Sequence, residues 1–381
     1  MATRRLGLIL SGVTGRIGVN QHLGNAVANF RETPITLANG DQLELDPILV
    51  GRNANKLEQI ARRFNIERWT TDLDAALSNQ DDTVFFDSAL TGVRFENVRR
   101  ALTAGKHVLC DKPLAPTHAE AVGLARLAAD LRLKNGVMMA NIWLPGMRKL
   151  KTLVDSGFFD RVMRIRGEHG YWVFEGNLRP GQRPSWNYRR EEGGGIVLDM
   201  MCHWHYMLEP LFGRIRRVTC AARTFAPKRW DESGQPYEAT ADDSGAVICE
   251  VESGAIAQID LSWCTRVRRD DLMVMQVDGS GGSAVTGIFD CLTQHATQTP
   301  SLVWNAEDRT ATDYRAAWLP VPDLPPIGNA FKVHWELFLR HVCDDTPFPW
   351  DFSMAARGIE LAEACYRSSA NYTWETLAET S

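Results

Sequence analysis

Arg5-Leu6-Gly7-Leu8-Ile9-Leu10-Ser11-Gly12-Val13-Thr14-Gly15-Arg16-Ile17-Gly18 is the stretch on which the reading of the fold turns. Arg5 to Ser11 is compact and apolar, as a buried strand is, and glycines at 12, 15 and 18 precede a helical spacing through Val19 and His22. Strand, turn and helix in that order make a β-turn-α unit. Glycines at those places let backbone approach a diphosphate at a helix N-terminus, where N–H groups lack partners. The plainer alternative is a tight turn with close helix-strand packing and no ligand. A glycine triplet alone is weak evidence; its place in a repeating strand-helix pattern favours the ligand.

That pattern continues outward. Pro47-Ile48-Leu49-Val50-Gly51 reads as a second strand, and Leu57, Ile60 and Ala61 then fall three and four apart, as on one face of a helix. Val84-Phe85-Phe86, a helix over residues 94–104, the strand His107-Val108-Leu109-Cys110 and a helix over residues 118–131 follow. Strands alternating with helices imply a parallel sheet covered on both faces. Residues 30–46 are longer and more polar than a usual connection, with Asn39-Gly40 as a turn signal, and are read as a surface excursion.

Beyond residue 140 the period changes. Ala257, Ile259, Leu261 and Trp263 share one face of a strand, and the runs at 217–222, 245–251 and 272–277 supply neighbours for an open, largely antiparallel sheet. Residues 331–342 and 354–369 have helical spacing after a proline-rich linker at 320–326. The expected organisation is an α/β chain of two domains, 1–140 and 141–381, with the last helices packing back on the first.

Composition narrows the function. With 381 residues, 44% hydrophobic and 23% charged, the chain has enough apolar material for one large core or two ordinary ones, so disorder is excluded as its main state. A net charge of −5 spread along the sequence offers no basic field for a nucleic acid. No apolar run approaches the roughly 20 residues of a membrane span. Arg4-Arg5 leads into a strand rather than a secretory signal, which makes the cytoplasm the expected location. The eight cysteines lie apart with no C-x-x-C pair, as reduced thiols there would.

Three groups carry the candidate chemistry. At the end of the second strand, where an adenosine ribose is usually gripped by a carboxylate, stand Gly51 and Arg52. Arg52 can pair with a 2′-phosphate or stack on adenine, which leaves NAD or NADP open with a lean to NADP. Cys110-Asp111-Lys112-Pro113 closes a parallel strand at its carboxyl edge, where open α/β sheets hold ligands, and Pro113 restricts the backbone of Lys112. The ordinary alternative for Lys112 is an exposed loop lysine. Gly193-Gly194-Gly195 runs into a helix on which Asp199 and His203, four apart, share a face. A carboxylate beside an imidazole fixes its tautomer, as a proton-transferring histidine requires; the alternative is a locally satisfied pair. Trp172, Trp186 and Trp204 offer ring faces for a sugar or serve as core.

Taken together, Gly12 to Gly18, the run Gly105-Lys106-His107-Val108-Leu109-Cys110-Asp111-Lys112-Pro113, Pro184-Ser185-Trp186 and the triple glycine before Asp199 and His203 closely resemble the glucose-fructose oxidoreductase/inositol dehydrogenase/MocA (Gfo/Idh/MocA) family over nearly the whole chain. The resemblance implies an N-terminal Rossmann domain binding NAD(P), a C-terminal α/β domain whose open sheet forms a homodimer or homotetramer, and a carbohydrate substrate. It maps catalysis onto Lys112, Asp199 and His203. It maps cofactor contacts onto Gly12, Thr14, Gly15, Arg16, Ile17, Arg52, Ala89, Leu90, Asp111 and Lys112, with Asp111 near the nicotinamide ribose. Substrate contacts fall on Asn141 and Trp186 besides the three catalytic groups. Two departures stand out: Ala89-Leu90-Thr91 replaces the family's frequent Thr-Pro-x, and Asn141-Ile142-Trp143-Leu144-Pro145 replaces its Asn/Arg-Phe segment. The expected reaction is oxidation of a secondary hydroxyl of a sugar, glycoside or cyclic polyol to a ketone, with Lys112 or His203 as proton acceptor. The alternatives are elimination or glycoside cleavage through a transient ketone with the cofactor recycled, and a non-catalytic dinucleotide sensor.

Overall fold

The opening apolar run is buried on both faces: Leu8, Ile9 and Leu10 have no exposure, as a central strand of a parallel sheet requires. The computed structural model describes residues 2–172, 183–301, 307 and 313–378. Its first compact unit takes in Met1–Ala140, Met201–His203 and Ile327–Glu363. The unit's sheet contains β1 (Thr3–Ser11), β2 (Ile35–Thr36), β3 (Gln42–Val50), β4 (Arg68–Thr70), β5 (Asp82–Asp87), β6 (His107–Cys110) and β7 (Asn135–Val137). Their order is β2-β3-β1-β5-β6-β7, with β4 also on β3, and β2 alone runs antiparallel to its neighbour. The order reverses at β1, since the chain lays β3 on one side of it and β5 on the other. The crevice outside Ser11 and Asp87 is therefore the topological switch point.

The excursion expected at residues 30–46 is corrected here. Ile35–Thr36 and Gln42–Val50 pair as β2 and β3 around the Asn39-Gly40 turn, where Gly40 takes a positive φ of 88°. Leu43 and Leu45 are buried while Glu44 between them is exposed, so the segment is a half-covered strand with period two. Pro47 falls between the stretches of β3 that pair with β2 and with β4, where a missing N–H costs no ladder bond on that side.

Helices connect the parallel strands. Gly18–Ala28 winds as a wide π-type helix and runs on into Asn29–Glu32. Ala54–Arg63 is capped by Asn53 accepting the Lys56 N–H, and His118–Asp130 by a reciprocal capping box of Thr117 and Glu120. The helix expected over 94–104 begins earlier, at Thr91. From the end of the chain, Ala330–Asp344 adds Trp335, Phe338 and Leu339 to the core around Leu8, Leu10 and Phe86.

The second unit is Asn141–Met200, Trp204–Pro326 and Ala364–Ser381. Its strands are β8 (Val162–Gly170), β9 (Ile215–Arg223), β10 (Lys228–Trp230), β11 (Pro236–Glu238), β12 (Ser244–Val251), β13 (Ile256–Ser262), β14 (Met273–Gly279), β15 (Gly282–Thr286), β16 (Cys291–His295), β17 (Leu319–Pro320) and β18 (Glu375–Thr376). Nine of them form one sheet, β17-β16-β15-β14-β8-β13-β12-β9-β18, in which β8 and β13 are parallel and all other neighbours antiparallel. Ala257, Ile259, Leu261 and Trp263 are buried together, as their period predicts. The helix Ile196–Phe212 belongs to this core at Trp204, whose ring lies against Gly167 so closely that a Cβ there would stand 2.4 Å from it. Trp204 has no exposure, so it packs the core and offers no face to a sugar. Among the described residues no helix is long and apolar enough to cross a membrane.

Candidate active site

The glycine turn separates into glycines the fold needs and one it does not. Gly12 has φ +74°, and a Cβ there would lie 2.3 Å from the Ala89 nitrogen, so this turn touches the loop after β5. At Gly18 a Cβ would lie 2.7 Å from the Val13 Cα. Gly15 meets nothing nearer than Gly12 O at 3.7 Å. The protein's own packing leaves that position open, on an exposed turn, at the start of a helix without a side-chain cap. Uncapped N–H groups behind a bare backbone are what a diphosphate requires. Thr14 lies against Gly51 at the end of β3, its Cγ2 3.5 Å from where a Cβ of Gly51 would stand. Arg16, Ile17, Arg52 and Leu90 are exposed, and Ala89 is half-buried with its N–H on Asp87 Oδ1 at 2.9 Å. The arrangement fits a dinucleotide, with Arg16 and Arg52 as its exposed cations.

The lysine motif is fixed from several sides. The Lys112-Pro113 bond is cis. Arg94, 4% exposed, donates to the carbonyl oxygens of Pro113 and Ala89 and lies 3.4 Å from Asp87. One guanidinium thus ties the loop after β5 to the loop after β6. Burial raises the Asp87 carboxyl above the ordinary aspartate range, against the pull of Arg94, Asn97 and the Ala89 N–H. Asp111 goes the other way: burial opposes its ionisation, but the ring of His22, then Arg94 and the Ser88 hydroxyl, hold it below the usual range. Lys112 itself is half-buried.

On the helix Ile196–Phe212, Asp199 and His203 stand one turn apart, both half-buried. The triple glycine before them is a packing requirement. A Cβ at Gly194 would come within 2.5 Å of the Trp186 and Asn187 carbonyls, and one at Gly195 within 2.6 Å of Asp242 and Tyr366. Those two residues cap the helix, Asp242 accepting the Val197 N–H and the Tyr366 hydroxyl the Leu198 N–H. Asp199 makes an ion pair with Arg183 at 2.9 Å; the same Arg183 nitrogen donates to Asn187 at 3.0 Å, and the guanidinium lies 4.7 Å from the Trp263 ring centre. Nothing in the sequence marks Arg183 for this role beyond its place as a lone arginine just before Pro184-Ser185-Trp186. Asn141, in the short turn Ala140–Trp143, and Trp186 are half-buried in the second unit, and Trp172 is 48% exposed. His205 is buried against Glu209 at 3.1 Å.

Comparison with known proteins makes the chain a nicotinamide-dependent oxidoreductase and gives its family. Residues 12–139 match the model of an oxidoreductase family with an NAD-binding Rossmann fold, and residues 147–285 match the GFO/IDH/MocA C-terminal domain. D-xylose dehydrogenase of Paenarthrobacter nicotinovorans is 42% identical over 365 residues, 94% of each chain. Levoglucosan dehydrogenase of Pseudarthrobacter phenanthrenivorans is 22% identical over 257 residues, 64% of this chain and 65% of that one. Among solved structures, levoglucosan dehydrogenase in complex with NADH superposes with a TM-score of 0.82 at 19% identity, covering 99% of this chain and 100% of the other. The chain belongs to the Gfo/Idh/MocA oxidoreductase family.

Proposed function

We propose that the protein is a dehydrogenase of free sugars, oxidising a hydroxyl-bearing carbon of a pyranose such as D-xylose with NAD or NADP as acceptor. The observation that carries this reading is the 42% identity to a D-xylose dehydrogenase along 94% of both chains. A nicotinamide dinucleotide at the glycine turn would supply the carbon that takes the hydride. The chain supplies placement and charge. Lys112, beginning from a loop that Arg94 pins at Pro113, stabilises the developing alkoxide. Lys112 or His203 takes the hydroxyl proton, and Asp199, set by Arg183, orients the imidazole one turn along. Asp111 would hold the nicotinamide ribose, and Asn141 and Trp186 would contact the sugar. The absence of a carboxylate after β3 admits both dinucleotides, with Arg52 favouring the 2′-phosphate. A second copy covers the open sheet face bearing Ile248 and Ile256, 38% and 50% exposed, to give a dimer or tetramer whose mass light scattering measures. Eight free cysteines suit the cytoplasm.

The test is a panel of aldoses, glycosides and cyclic polyols with NAD and with NADP, followed by reduced-nicotinamide absorbance. Steady growth with D-xylose or a near relative supports the reading. Sugar turnover without that growth points instead to elimination or cleavage with the cofactor recycled. Product analysis separates a lactone, formed at the anomeric carbon, from a ketone formed at a ring hydroxyl.

A further inference from the structure

His22 lies on the inner face of the first helix with no exposure, its ring centre 4.4 Å from Phe86 and 5.2 Å from Phe331. Both its nitrogens are engaged. The Trp335 indole N–H donates to Nδ1 at 3.1 Å, and Nε2 stands 3.2 Å from Asp111 Oδ2. An indole nitrogen only donates, so Nδ1 is the bare acceptor, and the ring proton sits on Nε2, donated to Asp111. Trp335 therefore sets the tautomer of His22. The Ser88 hydroxyl donates to the same Oδ2 at 2.8 Å. Among the described residues, both side-chain bonds of Asp111 thus fall on one oxygen, and Oδ1 takes neither.

Two segments reach that oxygen directly, at His22 and at Ser88, and a third, at Trp335, acts on it through His22. His22 is 89 residues from Asp111 in sequence, and Trp335 is 313 from His22. An apolar pair would fill the same space without burying two polar rings, so packing alone does not account for the choice. The chain of bonds ends on the residue next to Lys112.

We propose that Trp335 and His22 are positioning residues, which lock the Asp111 carboxylate through Oδ2 so that Oδ1 is presented to a hydroxyl of the bound dinucleotide and the backbone leading to Lys112 is held. This rests on the dinucleotide reading above. The full-length protein carrying 15N-labelled histidine gives the first readout, with the His22 signals assigned by their loss in His22→Gln. The expected spectrum has a bare Nδ1 and a protonated Nε2; the opposite tautomer overturns the proposal.

Titration of the same chain with NAD and NADP, read by intrinsic fluorescence, gives the second. His22→Leu, which keeps volume and removes both bonds, should weaken dinucleotide affinity about tenfold, the loss of one hydrogen bond to a charged group. His22→Gln, which keeps a donor toward Asp111, should stay within about threefold of wild type. A folded His22→Leu protein with wild-type affinity overturns the proposal. Where that variant does not fold, Trp335→Phe and Ser88→Ala carry the same comparison, each expected to weaken binding. If the wild type binds neither dinucleotide, the dinucleotide reading fails and this proposal with it, and the wild-type titration alone distinguishes that outcome.

Discussion

Replacing Arg94 by Met should damage both stability and the site, and the structure gives a scale for the damage. Arg94 and Asp87 are 4% and 0% exposed and lie 3.4 Å apart. Removing one partner of such a buried pair leaves the other charge uncompensated, at a cost of about 3–5 kcal/mol. For a unit of this size that corresponds to a loss of about 6–20 °C in melting temperature. The carbonyls of Pro113 and Ala89 lose their donor in the same step, so turnover should fall along with stability. Asp87→Asn in the Arg94→Met background removes the stranded charge and should restore about half or more of the lost stability.

The pH dependence has a definite sign. Burial raises the Asp87 carboxyl in the folded state above its unfolded value, so the native protein binds that proton more tightly than the unfolded chain does. Stability therefore falls as pH rises from the unfolded value toward the folded one. Without Arg94 to oppose burial the effect grows, so the gap between Arg94→Met and wild type should narrow from about pH 7.5 to about pH 5. Thermal melts of the wild type, both single variants and the double variant measure all of this. An Arg94→Met protein melting within about 2 °C of wild type at pH 7.5 would refute the reasoning.

Gly15→Ala meets nothing nearer than 3.7 Å, so it should melt near wild type yet bind dinucleotide about tenfold more weakly, since the added methyl enters the cradle. Gly12→Ala, with φ +74° and an atom at 2.3 Å, should instead melt lower, losing at least the roughly 1–2 kcal/mol of a left-handed residue. Arg52→Ala should raise the KM for NADP about tenfold and leave that for NAD within about threefold, which initial rates with each cofactor decide. Arg183→Met deprives Asp199 of its 2.9 Å partner at a site about a quarter exposed, so turnover should drop while the melting temperature moves by less than about 4 °C.

Most of the first unit was legible because its signals are local. The glycine turn, the strand ends at Ser11 and Cys110 and the helix periods are all set within a few residues. Residues 30–46 were misread because the alternation of Gln42, Leu43, Glu44 and Leu45 leads straight into Pro47, which looked like a strand's start rather than its middle. In the second unit β8 escaped notice although it is a central strand, because Arg164, Arg166 and Glu168 occupy its open face and only Ile165 and Gly167 between them are buried. The catalytic candidates were visible as residue types at spacings, but the residues that hold them were not. His22 announced itself only as a polar side chain on the apolar face of a helix, and its partner Trp335 comes from the far end of the chain. Arg183 and Arg94 act on neighbours brought together by folding, and no spacing marks them.

In the proposed function Lys112 acts on the reacting hydroxyl of a sugar whose hydride goes to the dinucleotide. Stopped-flow mixing of the enzyme and dinucleotide with D-xylose, for wild type and Lys112→Ala, tests it most directly. Reduced nicotinamide is expected in the first turnover of the wild type, and a rate at least about a hundredfold lower in the variant with dinucleotide affinity within about threefold. A variant that reduces the cofactor as fast as wild type would contradict it.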